Sequence, residues 1–295
     1  MHGTAWPAQA WPSSPTDDSH PHRPGDDLRV VIPIHDRNPT RRPAYVTRAL
    51  VAVNIVVFLV SPLGLAGLGE SGTEALCSAQ AFFDRWAAIP QELTSGQQLP
   101  LVVGDAVVDP SGAPACQLVA PDFDKLPLLS AVTAMFLHGG WAHLLGNMLF
   151  LAVFGNNVED RLGRFRFLLF YLACGIAATY AFAFTDTDSR STLVGASGAI
   201  AGVLGAYLVW YPNARVISLV PILLFFPLPL PAWLVLGTWF VVQAVYSLGT
   251  GMAAGEVAYV AHLAGFVVGL LFALALGRSA GRPEARGPYG VGPTR

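Results

Sequence analysis

The chain has 295 residues, 53% of them hydrophobic and 12% charged, with a mean hydropathy of +0.51. That balance excludes an ordinary soluble domain and points to a membrane protein. The formal net charge of −2 gives no footing for a nucleic-acid partner, and none is expected.

No apolar run occurs before about residue 45, so a cleavable signal peptide, which needs an early apolar core, is not expected. Residues 1–43 are rich in Pro, Asp, Arg and His and read as a disordered tail. His2, His20, His22 and His35 lie in it without paired cysteines or a fixed spacing, so they read as solvated residues and not as a metal site.

A spanning helix needs about 20 mostly apolar residues. Uncharged or nearly uncharged stretches of that order lie at 49–68, 126–158, 167–185, 191–211, 216–255 and 257–277. The second is too long for one helix, and "FLHGGW" at 136–141 suggests that its helix starts near Trp141. The fifth is interrupted by Pro221, Pro227, Pro229 and Pro231, which prevent a regular helix until 231–248. Six helices are expected, giving an all-α polytopic membrane domain over 44–277.

The arginines set its orientation. Arg37, Arg41, Arg42 and Arg48 precede or open the first helix, and Arg161, Arg164 and Arg166 lie between the second and third. Arg215 follows the fourth, and Arg278, Arg282 and Arg286 follow the sixth. The alternate loops are acidic, above all 69–125. Both termini, including a tail at 278–295, are therefore expected on the cytoplasmic side. The 69–125 segment becomes a large extracytoplasmic first loop. It holds Cys77 and Cys116, both on the oxidising side, where they either pair or stay as separate thiols. Cys174, in the third helix, reads as packing.

Polar groups inside a membrane are costly, and three helices carry them to one depth. If the fourth helix enters near Leu193, Ser197 lies about 6 Å down; if the sixth enters near Val257, His262 lies about 8 Å down. His143 lies roughly 5 Å along the second helix, and Asn147, four residues on, shares its face. Singly, each has a plain structural explanation, such as a serine bonding back to a carbonyl or an asparagine clamping two helices. Together, a serine and a histidine from different helices are what a nucleophile and its base require. Ridges of small residues supply the close approach: Gly198, Gly202 and Ala206 on the fourth helix, and Ala261, Gly265, Gly269 and Ala273 on the sixth.

The stretches "HGGWAHLLGNMLFLAVFGNNVEDRLG" (138–163), "GASG" (195–198) and "AHLAGFVVG" (261–269) resemble the three signature motifs of rhomboid intramembrane serine proteases. "IPIHDRNPTRRP" (32–43) resembles the segment before the first helix in bacterial members. The resemblance implies a six-transmembrane-helix rhomboid-like bundle in a bacterial plasma membrane, cleaving transmembrane protein substrates within the lipid bilayer and needing no cofactor. It implies Ser197 as nucleophile and His262 as base, acting as a dyad, since no acid lies within these helices and Glu256 falls in a loop. His143 and Asn147 would line the oxyanion hole with the backbone N–H of Ser197, and Gly195, Gly198, Gly265 and Gly269 are the motif glycines. It further implies a mobile cap at 249–259, a lateral gate formed by the fifth helix, and an anchoring role for Arg85 and Trp86 in the first loop. One departure stands out: where some members stack an aromatic on the catalytic histidine, one turn after the serine, this chain has Ala201.

The main alternative is a catalytically inactive rhomboid-like protein that binds membrane clients, although such relatives usually lack the Ser or the His. A transporter would call for inverted repeats or mid-membrane charges. A metalloprotease would need HExxH, and an aspartyl protease paired membrane aspartates; neither pattern is present.

Overall fold

The structure is a computed structural model and describes residues 5–7, 32–65, 67, 69, 71–109, 111–220, 226–249 and 258–277. The N-terminal part contributes strands β1 (Ala5–Pro7) and β2 (Ile32–Asp36) before helix α1 (Tyr45–Val60). Helices α2 (Gly72–Trp86) and α3 (Pro90–Ser95), strands β3 (Val102–Val108) and β4 (Pro114–Val119) and helix α4 (Pro127–Thr133) follow. Next come α5 (Trp141–Leu162), α6 (Arg164–Ala183) and α7 (Ser197–Trp210). The hairpin β5 (Arg215–Val220) and β6 (Phe226–Pro231) leads to α8 (Ala232–Gly249) and α9 (Tyr259–Leu276).

The apolar helices α1, α5, α6, α7, α8 and α9 fall on the six stretches read from the sequence. By length and hydropathy alone, α6 and α9 qualify as membrane-crossing helices, while α1, α7 and α8 are apolar but shorter. The long second stretch breaks as its glycines suggest: the segment Pro127–Phe136 and α5 meet at 84°. Leu128 and Leu129 on that transverse segment, and Leu126 just before it, are exposed.

Helix α7 is the centre of the bundle, with twelve of its fourteen residues buried. It can be central because it is thin. A Cβ on Gly265 would overlap the carbonyl oxygen of Gly198, and one on Gly269 that of Gly202. On its other side a Cβ at Gly202 would come within 2.5 Å of the Cys174 sulfur on α6. The small-residue ridges thus bring the backbones of α7 and α9 into contact, and on the α6 side they admit side chains against the α7 backbone.

The all-α expectation is corrected by two three-stranded sheets, ordered β1-β4-β3 and β2-β5-β6. The second explains the proline-rich run. Pro227, Pro229 and Pro231 sit at alternate positions of the edge strand β6, where their missing N–H groups face away from β5. The expected tail also ends earlier than residue 43. Ile32–Asp36 pairs with β5, and Asp36 is buried, accepting hydrogen bonds from Tyr207 Oη (2.6 Å) and Asn157 Nδ2 (2.6 Å). Farther back, Ala5–Pro7 pairs with β4 of the insert, against the expected cytoplasmic tail, because β4's free edge offers unpaired backbone groups to an uncharged run. Residues 1–4 and 8–31, with His2, His20 and His22, lie outside the described residues, as do 250–257 of the expected cap, with Glu256, and the tail 278–295.

The ends of α5 and α1 are tied by side-chain capping. Glu159 accepts hydrogen bonds from the backbone N–H of Val46 (3.0 Å) and Thr47 (2.7 Å), and Asp160 accepts those of Arg41 and Arg42. Acids at the end of α5 are unfavourable for its own dipole but serve the open N-terminus of α1. In the insert, Cys77 on α2 and Cys116 on β4 form a disulfide with a Cα–Cα distance of 5.5 Å.

Candidate active site

Ser197 is the first residue of α7, which corrects the expectation of a helix entering at Leu193. The preceding segment is held extended. Leu193 and Ala88 exchange backbone hydrogen bonds at 2.7 and 3.2 Å, and Gly195 N–H donates to Ala134 O at 2.9 Å. Ser197 therefore takes its place from the end of a pinned extended segment, not from a helical rise. Among the described residues no side chain caps this helix end. The N–H groups of Ser197, Gly198 and Ala199 have no intrahelical acceptor, a setting that suits developing negative charge.

Gly195 has φ +122°, a conformation that side-chain-bearing residues rarely adopt. A Cβ there would lie 2.8 Å from His143 Nε2 and 3.6 Å from Ser197 Oγ. The imidazole and the hydroxyl thus converge on one bare backbone position. Gly139 N–H donates to His143 Nδ1 over 3.4 Å, so the neutral ring carries its proton on Nε2, the nitrogen beside Gly195. His138 supports this ring edge-on, with centroids 5.1 Å apart. One turn along α5, Asn147 is buried, and its Nδ2 finds no acceptor among the described residues. Among the described residues, His143 Nε2 and Asn147 Nδ2, on one face of α5, thus have no hydrogen-bond partner.

His262 lies in the first turn of α9, 8% exposed. Gly198, next to Ser197, packs against Ala261, next to His262, and against Gly265 at the α7–α9 crossing. Among the described residues they make no hydrogen bond to each other. His262 Nδ1 instead lies 2.7 Å from Gln243 Oε1 on α8, and the Trp239 ring lies 5.8 Å away at 35°. Nucleophile–base contacts often lengthen in substrate-free sites. Beside Ser197 is a cavity of about 20 Å³, lined by Thr179, Leu193, Gly195, Ser197, Ala258 and Ala261 among others. One water needs about 10–15 Å³.

Sequence reasoning misses Gln243, Trp239 and His138. Gln243 carries a legible signal, as the one carboxamide in a mostly apolar helix. Arg85 meets the rings of Trp86 and Phe123 at 5.4 and 4.9 Å, and Thr133 Oγ1 donates to Trp86 O at 2.6 Å.

Comparison with known proteins decides the family. The rhomboid domain model matches residues 127–279, about half of the chain, including His143, Asn147, Ser197, Gln243 and His262. The chain belongs to the rhomboid family. Among relatives, it is 37% identical over 147 residues to the rhomboid protease GluP of Bacillus subtilis, covering 50% of this chain and 25% of that protein. It is 31% identical over 148 residues to the mitochondrial rhomboid protein 1 of Saccharomyces cerevisiae, covering 49% and 40%. A putative rhomboid protease of B. subtilis, YdcA, is 40% identical over 77 residues, covering 26% and 38%. The matched regions thus span between a quarter and two-fifths of these relatives. Rhomboid membership makes this a membrane protein of a protease family.

Proposed function

We propose that this chain is an intramembrane serine endopeptidase that cuts transmembrane protein substrates near the extracytoplasmic face. The observation that carries the reading is the convergence at Gly195, where an Nε2–H of His143 and the hydroxyl of Ser197 approach one Cβ-free position at a helix N-terminus. Ser197 Oγ attacks the scissile carbonyl and His262 takes its proton. His143 Nε2–H, Asn147 Nδ2–H and the Ser197 N–H stabilise the oxyanion. His262 then returns the proton to the leaving amine, and water hydrolyses the acyl-enzyme. Gly198, Gly265 and Gly269 keep nucleophile and base within reach of each other.

In this reading α1, α5, α6, α7, α8 and α9 are six spans in a bacterial plasma membrane, with the arginine-rich approach to α1 and the end of α9 on the cytoplasmic side. The residues of 69–125 form the outer loop, and α8 is the gate through which a substrate helix enters. The arginine distribution supports the orientation, and the exposed leucines of the transverse segment support its lying in the interface. Reconstitution into liposomes with a single-span reporter tests this function. Wild type should release the reporter's outer domain by a cut close to the membrane surface, and Ser197→Ala should release none. Equal release by both proteins would refute the reading.

A further inference from the structure

We propose that Gln243 is a positioning residue that fixes His262 in the tautomer able to act as base. The inference rests on the Ser–His reading above and extends it to α8, a helix outside the three signature motifs. Gln243 is buried in α8, a helix without a charged residue, and a buried amide without a partner is costly. Its Oε1 lies 2.7 Å from His262 Nδ1. An amide oxygen only accepts, so the ring proton sits on Nδ1 and Nε2 keeps its lone pair. The same amide turned about, with its NH₂ towards Nδ1, would put the ring proton on Nε2 and leave no base. A proton on Nδ1 is what the chemistry requires, and a fixed acceptor on that nitrogen is what supplies it.

Trp239 lies one turn before Gln243 and so on the same face of α8. Its ring tilts over His262 and lies 6.1 Å from Phe266. The two residues together hold the imidazole from the α8 side, the support that Ala201 on α7 does not give. The base is thus built across two helices: α9 carries the ring, and α8 sets its orientation.

The test uses the full chain in detergent, comparing wild type, Gln243→Met, Gln243→Glu, Gln243→Lys and Ser197→Ala. The readouts are reporter kcat and KM, the rate of fluorophosphonate labelling, and nitrogen NMR of histidine-labelled protein with His262 assigned through His262→Ala. Gln243→Met keeps the volume but loses the acceptor. It should lower kcat and labelling by about tenfold or more, within the 10²–10⁴ that a positioned base contributes, with KM little changed. Gln243→Glu, which can only accept, should recover much of the rate, and Gln243→Lys, which can only donate, should not. Wild-type spectra should show the His262 proton on Nδ1, and Gln243→Met a mixture. Labelling of folded Gln243→Met at the wild-type rate, or a wild-type proton on Nε2, overturns the proposal. If Gln243→Met fails to fold, the wild-type spectra and the Glu and Lys variants decide it. A wild type that does not label, yet holds the Nδ1 proton only while Gln243 is present, refutes the protease reading and leaves the positioning role standing.

Discussion

At the scale of single residues, the site depends on atoms that are missing as much as on those present. A methyl group on Gly195 would meet the His143 ring at 2.8 Å from a backbone at φ +122°. Gly195→Ala should therefore abolish fluorophosphonate labelling while leaving the bundle folded, as judged by circular dichroism. Asn147→Ala removes one uncommitted donor and should lower reporter kcat by about 10²–10³ with little change in KM. A different test concerns Asp36, far from the chemistry. Burial pushes its carboxyl above the ordinary carboxylate range, against the hydrogen bonds from Tyr207 and Asn38. A raised folded value means that ionisation costs more in the folded state. Asp36 should thus add stability as pH falls from neutral through that raised value towards the ordinary one. Thermal melts of Asp36→Asn against wild type should show this gain only in wild type.

At the scale of elements, the positions legible in the sequence are those where one residue type fixes one requirement. The glycines of α7 and α9, the break before Trp141 and the i, i+4 pair His143 and Asn147 all carry their meaning locally. Pairing between distant segments is what the sequence does not carry. The start of α7 at Ser197 depends on Ala88 and Ala134 pinning the preceding segment, and the strand character of 226–231 depends on β5 lying beside it. Neither partner has a local signature. Gln243 is visible as an odd residue, but its partner becomes visible only when α8 and α9 are placed together. Close helix packing also yields a prediction: Gly269→Leu would drive a side chain into the backbone of Gly202 and should destroy both labelling and the cooperative thermal transition.

At the scale of the whole molecule, the same chain builds a close-packed bundle with polar structure at both ends. At one end, Asp36, Asn157 and Tyr207 join the β2-β5-β6 sheet to α5 and α7. At the other, the insert is held by the Cys77–Cys116 disulfide and by a buried ion pair of Lys125 Nζ and Glu92 Oε2 at 2.6 Å. Burial lowers the Lys125 pKa against the pull of Glu92, so this pair stands on a desolvation cost. Removing one partner exposes that cost. Lys125→Met should destabilise the insert by about 3–5 kcal/mol, measured by protease sensitivity of the outer loop. The motif residues make the family legible. Lys125 and Glu92, by contrast, lie far apart in the chain and carry no mark of pairing until the loop is folded.

The central claim is that Ser197 is a nucleophile activated by His262. Detergent-purified wild type, Ser197→Ala and His262→Ala should be treated with a fluorescent fluorophosphonate alongside a serine hydrolase that is known to react. Labelling of wild type alone is the predicted result. A folded wild type that stays unlabelled while the control reacts would contradict the claim and favour a rhomboid-like protein that binds membrane clients without cutting them.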